Sequence, residues 1–283
     1  MPDQRGPHRL GARELTTGYG TAVVLGDVTV DIPEGRITAM IGANGCGKST
    51  LLRTLGRALD PMAGTVLLDG KDIATEPRRS VARLLALLPQ SPVAPEGLTV
   101  RELCGFGRHP HRGMLARDTA ADRAAVEQAL AAAGLDDLAE RPLHRLSGGQ
   151  RQRAWIAMAL AQETPIMLLD EPTTYLDIAH QLDVLNLLAD LNRTQGRTIV
   201  MVLHDLNQAA QYAHHLVAVA DGGVYATGSP EDLLTPELVR AVFGVESVVV
   251  PHPVTGTPLC LPIGTGRTAG ETTAVRPGGA GEG

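Results

Sequence analysis

Residues 42–50 read Gly42-Ala43-Asn44-Gly45-Cys46-Gly47-Lys48-Ser49-Thr50, and no other stretch restricts the architecture of this 283-residue chain as much. The run fits G-x-x-x-x-G-K-[ST], in which successive backbone N–H groups wrap phosphate oxygens and glycine permits close backbone approach. Such a loop needs a strand feeding it and a helix leaving it. Ile37-Thr38-Ala39-Met40-Ile41, β-branched and apolar, supplies the strand. Leu51-Leu52-Arg53-Thr54-Leu55 continues as a helix whose N-terminal amides and dipole face the anion. Lys48 then reaches the β- and γ-phosphates, and the Ser49 hydroxyl ligates Mg²⁺. A glycine-rich turn that happens to precede a helix is the plainer alternative, and the strand before the loop argues against it.

A phosphate loop alone serves many unrelated functions, so the downstream residues must separate them. Ile166-Met167-Leu168-Leu169 is a short apolar run ending in Asp170-Glu171-Pro172, which predicts a buried parallel strand with two carboxylates at its C-terminal tip, where open α/β sheets place ligands. Asp170 suits an indirect hold on Mg²⁺, and Glu171 suits the polarising of an attacking water. A second β-branched run, Thr198 to Leu203, delivers His204-Asp205 to a neighbouring strand tip, in reach of a γ-phosphate. Leu146-Ser147-Gly148-Gly149-Gln150 opens a helix through Leu160, offering a hydroxyl and bare amides to an anion. One polypeptide thus carries two places to hold polyphosphate.

As a set, these motifs make the chain resemble the nucleotide-binding subunit of an ATP-binding-cassette (ABC) transporter, from about Leu10 to Pro262. Gly42 to Thr50 match Walker A, Tyr19 the aromatic that stacks on adenine, Gln90 after Leu87-Leu88-Pro89 the Q-loop, and Leu146 to Gln150 the signature. Asp170 and Glu171 match Walker B and its catalytic carboxylate, Asp177 the D-loop, and His204 the switch histidine. The resemblance implies ATP and Mg²⁺ as cofactors. Glu171, His204, Gln90 and Lys48 carry catalysis; Ser49, Gln90 and Asp170 hold the metal; Tyr19, residues 42–50, Ser147, Gly148, Gly149, Gln150 and Asp177 bind nucleotide. It further implies that the signature serves the γ-phosphate held by a second copy, so that two chains close head to tail around two ATP molecules.

The fold expected is α/β: a P-loop NTPase core with a mixed sheet, an antiparallel β portion and a helical subdomain, of the ABC ATPase type. The ATP-binding domain is expected over 10–250, with the antiparallel portion between Leu10 and about Ile73 and the helical subdomain over about 89–162. Pro165 to about Leu234 reads strand-helix-strand. A C-terminal extension follows over 251–263, and the glycine-rich tail 264–283 is expected to be disordered.

A net charge of −6 gives no broad basic field for nucleic acid, and 2% aromatic residues give few stacking platforms, so no nucleic-acid partner is expected. The arginines at 78, 79 and 83 and at 108, 112 and 117 are read as solvated faces. Cys46, Cys104 and Cys260 lack metal or disulfide spacing and suit a reducing cytosol, with Cys46 a small residue that fits the loop. His109, His111 and His180 share no regular ligand spacing, which argues against a metal site. Nowhere do about 18 apolar residues run uninterrupted and the start has no apolar leader, so the chain is expected neither to span a membrane nor to be secreted. A peripheral place on the cytoplasmic face, under integral membrane permease subunits, follows from the resemblance, with a periplasmic or lipoprotein substrate-binding protein acting indirectly.

Within the superfamily, Pro172-Thr173-Thr174-Tyr175-Leu176-Asp177-Ile178-Ala179-His180-Gln181 and His204-Asp205-Leu206-Asn207-Gln208-Ala209 are similar to ATPases of ferric siderophore importers, a branch that includes haem and cobalamin systems. Gly107-Arg108-His109-Pro110-His111 points the same way, from the region that docks on membrane subunits in that family. Tyr175 and Ala43 depart from the commoner Ser-Ala and Pro of the superfamily, and neither change removes a catalytic group. Haem or cobalamin import, and a soluble ABC ATPase that remodels a complex, are the alternatives. The segment between Lys48 and Leu146 leaves no room for a DNA-repair coiled coil, and a metabolite kinase would lack the signature helix.

Overall fold

The computed structural model describes residues 9–112 and 118–265. The chain opens with β1 (Leu10–Tyr19), β2 (Ala22–Ile32) and β3 (Ile37–Ile41), then α1 (Lys48–Leu55), β4 (Ala63–Leu68), β5 (Lys71–Asp72), α2 (Arg78–Ala82) and β6 (Leu85–Leu88). Three helices follow, α3 (Val100–Phe106), α4 (Ala120–Ala132) and α5 (Gly148–Ala161). The chain returns to the sheet through β7 (Ile166–Leu169), α6 (Ile178–Gln195), β8 (Thr198–Val202), α7 (Leu206–Tyr212), β9 (His215–Ala220) and β10 (Gly223–Gly228). It closes with α8 (Pro230–Leu233), α9 (Pro236–Phe243), β11 (Val245–Pro251) and β12 (Pro258–Thr265).

Six strands form the main sheet in the order β10-β9-β3-β8-β7-β6, parallel except where β10 returns against β9. The side-chain period of two sorts its central strands between two cores. Met40, Leu168, Val200 and Val217 point to the side covered by α1 and by the antiparallel sheet β2-β1-β4-β5. Ile41, Leu169, Met201 and Leu216 point to the side covered by α5, α6 and the C-terminal helices. Helix α1 is thus enclosed, with Leu51, Leu52 and Leu55 fully buried. The mixed sheet with an antiparallel portion matches the fold expected from the sequence.

Parallel register brings the strand ends level: Leu88 pairs with Leu169, Leu169 with Met201, and Met40 with Val202. The residues just past these ends therefore converge on one edge, the place where a parallel sheet meets its ligands.

The helices α3, α4 and α5 each begin with a reciprocal cap, Thr99 with Glu102, Thr119 with Asp122, and Ser147 with Gln150. They are tied together by an arginine that the sequence reading left in solvent. Arg108 is 5% exposed. Its Nε donates to Asp122 Oδ1 at 3.0 Å, and its Nη1 to the Ala161 carbonyl at 2.7 Å and to Glu163 Oε2 at 2.5 Å. Burial is tolerated because Nε and Nη1 meet two carboxylates and a carbonyl. Arg112 pairs with Asp118 at 2.7 Å, and Arg117 lies outside the described residues. Arg78, Arg79 and Arg83 are exposed, as expected.

Strand β11 runs across the boundary drawn after residue 250, and Gly264 and Thr265, expected in a disordered tail, belong to β12. Backbone pairing from Val245↔Thr265 to Pro251↔Pro258 supplies the order that composition did not suggest. The rest of that tail, 266–283, lies outside the described residues. The outer edge of β12 is pinned by Asn207, whose amide accepts from Cys260 N–H at 2.7 Å and donates to Cys260 C=O at 3.2 Å. No helix among the described residues is long and apolar enough to cross a membrane.

Candidate nucleotide site

The loop between β3 and α1 is shaped by glycines with positive φ, Gly42 at 152°, Gly45 at 78° and Gly47 at 107°. At Gly42 a Cβ would stand 2.3 Å from the Val219 carbonyl oxygen, so close approach to β9 adds to the backbone requirement. The Lys48 ammonium is buried under this loop and donates to the carbonyls of Gly42 and Ala43, both at 2.8 Å. Those two bonds, with a longer one to Cys46 Sγ, hold a localised cation at the loop. Cys46 is half-buried, its sulfur 3.9 Å from Lys48 Nζ.

Ser49 Oγ donates to Asp170 Oδ1 at 2.6 Å, and Arg53 Nη2 donates to Asp170 Oδ2 at 3.1 Å. Asp170 is fully buried and fully paired, so the tip of β7 is fastened to the first turns of α1. Arg53 also donates to the Tyr19 hydroxyl at 3.4 Å, which holds that aromatic over the cleft. Arg53 was missed as a site residue, although its i+4 spacing from Ser49 puts both on one helix face.

Next to Asp170, Glu171 adopts a left-handed backbone with φ 53°. The strain, about 1–3 kcal/mol, recurs where a side chain must be aimed into a site. Here the carboxylate is turned into a ring of partners. Gln90 Nε2 and Thr174 Oγ1 donate to Oε2 at 2.6 and 2.9 Å, and His204 Nε2 lies 2.8 Å from Oε1. Burial of Glu171 raises its pKa, but the bonds from His204, Thr174 and Gln90 outweigh it and hold the carboxyl below the usual carboxylate range. Thr174, three residues past Glu171, was also not anticipated.

Most of these groups line a cleft of about 490 Å³, with Arg53 and Asp170 outside its lining. Tyr19, Asn44, Gly45, Gly47, Lys48, Ser49, Thr50, Gln90, Glu171 and His204 all face it, joined by Val24, Thr174 and Tyr175. Tyr175, 91% exposed and left-handed at φ 64°, stands at its rim. Gly42, Ala43 and Cys46 form the floor of the loop, outside that lining.

Ser147, Gly148, Gly149, Gln150 and Asp177 are not among the lining residues either. Ser147 Oγ accepts from Gln150 N–H at 3.2 Å and Gln150 Oε1 from Ser147 N–H at 3.1 Å; Ser147 and Gly148 are exposed at the start of α5, and Gly149 is buried. Asp177 caps α6 by accepting from His180 N–H at 2.9 Å. Within one chain, then, the turn at 147–150 stands apart from the cleft that the loop at 42–50 lines.

A phosphate loop at the carboxyl edge of a parallel sheet, with a clamped glutamate facing it and a capped Ser-Gly-Gly helix elsewhere, defines a P-loop nucleotide hydrolase built as a cassette. Residues 25–174 match the ABC transporter family, and the chain belongs to it. Over 262 residues the chain is 55% identical to the probable siderophore transport system ATP-binding protein YusV of Bacillus subtilis (strain 168), covering 93% of this chain and 95% of that protein. It is 51% identical over 264 residues to the ferric enterobactin transport ATP-binding protein FepC of Escherichia coli (strain K12), covering 93% and 97%. Among solved structures it is similar to the dimeric bacterial ABC transporter cassette MJ0796, with TM-score 0.69 and 29% identity over 78% of this chain and 98% of that one. The same cassette bound to ADP and Pi, also dimeric, gives TM-score 0.67 at 28% identity over the same shares. As a member of this family the chain is an ATP-binding ATPase.

Proposed function

We propose that the chain is the ATP-hydrolysing subunit of an importer for ferric siderophores, working as a head-to-tail pair under separate membrane permease subunits at the cytoplasmic face. The names of its relatives, at 51–55% identity over nearly their whole length, support the cargo. A periplasmic or lipoprotein binding protein would deliver that cargo to the permease. The observation that carries the catalytic reading is the clamp on Glu171 by Gln90, Thr174 and His204.

In this reading the loop amides and Lys48 hold the β- and γ-phosphates, and Tyr19 stacks on the adenine. Ser49 and Asp170 bring two hard oxygens to within 2.6 Å of each other, and Gln90 gives its N–H to Glu171 while its amide oxygen remains available. Few protein oxygens completed by phosphate and water suit Mg²⁺, so the donor set fits that ion. The ion would be held by Ser49, Gln90 and Asp170 and would supply charge neutralisation for phosphoryl transfer. Glu171, ionised and fixed at both oxygens, orients the attacking water and accepts its proton; His204 lies at the same carboxylate and faces the γ-phosphate. Ser147, Gly148, Gly149 and Asp177 serve the nucleotide held by the partner copy, which explains why they lie outside the chain's own cleft.

Glu171→Gln tests the mechanism. ATP binding should persist, hydrolysis should fall about a thousandfold, and an ATP-dependent dimer should accumulate on size exclusion; a monomer that still hydrolyses ATP overturns the reading. Growth of a strain lacking this chain on a panel of iron chelates tests the cargo, with unimpaired growth on every ferric siderophore as the opposing result.

A further inference from the structure

His180 lies outside the nucleotide cleft yet touches two motif residues at once. Its Nδ1 is 2.7 Å from Asp177 Oδ1, and its backbone N–H donates to the same oxygen at 2.9 Å. The ring lies directly beneath Gly149: a Cβ built on that glycine would stand 2.1 Å from His180 Cδ2, 2.6 Å from Cγ and 3.0 Å from Cβ. Gly149 is not among the positive-φ glycines, so the ring and not the backbone demands glycine there. Its neighbour Gly148 meets only Leu176, at 3.8 Å. The loop that leaves Glu171 and ends at Asp177 thus reaches the signature helix through the His180 imidazole at Gly149 and, more loosely, through Leu176 at Gly148.

We propose that His180 is a positioning residue: its ring, fixed by Asp177, sets the height of the Ser147-Gly148-Gly149 turn for the nucleotide held by the second copy. The inference rests on the two-copy reading above. A displacement of these amides by a fraction of an ångström weakens a contact made to the transferring phosphoryl group, while the chain's own phosphate loop is untouched. The effect therefore falls on kcat and operates in trans.

Purified His180→Ala should bind ATP as tightly as the unaltered chain and keep its KM within about twofold, while kcat falls about tenfold. His180→Asn, which retains atoms near Cγ, Nδ1 and Cδ2, should restore most of the rate. Mixing then assigns the copy on which His180 acts. His180→Ala combined with Lys48→Ala pairs an intact phosphate loop with an intact signature in one of the two sites of the mixed dimer, so the rate should rise well above that of either variant alone. Ser147→Ala mixed with Lys48→Ala is the control. If the control recovers and the His180 mixture does not, His180 acts within its own copy and the proposal is overturned. If the control fails as well, the two-copy reading falls and takes the proposal with it. A rise in KM at unchanged kcat also overturns it. Should His180→Ala not fold, His180→Phe, which keeps a ring without the hydrogen bond to Asp177, carries the same mixing test.

Discussion

Ser49 Oγ and Asp170 Oδ1 stand 2.6 Å apart, so the start of α1 and the tip of β7 share a hydrogen bond across residues far apart in sequence. Arg53 closes the other oxygen of Asp170 at 3.1 Å.

Asp170→Asn keeps the shape and removes the charge facing Arg53. Hydrolysis should fall about a hundredfold. Unfolding free energy should drop by only about 1–2 kcal/mol, because Arg53 remains partly solvated. Steady-state hydrolysis and urea denaturation check the two arms, and a loss of stability without loss of turnover would contradict the assignment.

The partners of Glu171 make a pH prediction. Burial alone would raise its pKa, and the bonds from His204, Thr174 and Gln90 reverse the sign. Its folded-state pKa lies below the unfolded one, so the carboxylate stabilises the fold above the ordinary carboxylate range, and that contribution disappears as pH falls through the folded value. In His204→Ala the balance tips towards burial. The acid limb of the rate profile should move to higher pH, as a pH series of kcat would reveal.

Arg108 holds three helices at a buried point. Arg108→Ala removes the nearer cation of Asp122, which keeps Arg112 at 3.6 Å and its Thr119 cap, and should cost about 1–3 kcal/mol of unfolding free energy, measured in denaturant. Arg108→Lys should recover only part, since one ammonium lacks the fork that reaches Asp122, Glu163 and the Ala161 carbonyl together.

His214 Nδ1 accepts the Ile37 N–H at 3.1 Å at the end of the sheet away from the phosphate loop. Burial, with Arg36 nearby, lowers its pKa. Its folded value lies below the unfolded one, so stability from this group is complete above about pH 6.5 and is lost as pH falls towards the folded value. The unfolding midpoint should decline between neutral and mildly acid pH, and His214→Gln should flatten that decline.

The parts of the site that follow strand ends were legible in the sequence, because a short apolar or β-branched run followed by Gly42, Asp170 or His204 already places those residues at the carboxyl edge of a parallel sheet. Arg108 was misread because an arginine beside histidines and proline looks solvated, and only the folded chain brings Asp122, Ala161 and Glu163 around it. His180 carried no signal by itself: its contact with Gly149 joins two helices that the sequence leaves unrelated. The hairpin of β11 and β12 was missed at its far end since Gly264 suggests disorder by composition, whereas pairing with Glu246 orders it.

Strand β3 is hydrogen-bonded to β8 on one side and β9 on the other, Ile37 opposite Ile199 and Thr38 opposite His215. During synthesis the loop that follows β3 leaves the ribosome early, but its two flanking strands come from the last third of the chain. The sheet around that loop can therefore close only once residues near 220 have emerged, and a nascent N-terminal half holds β3 without either neighbour.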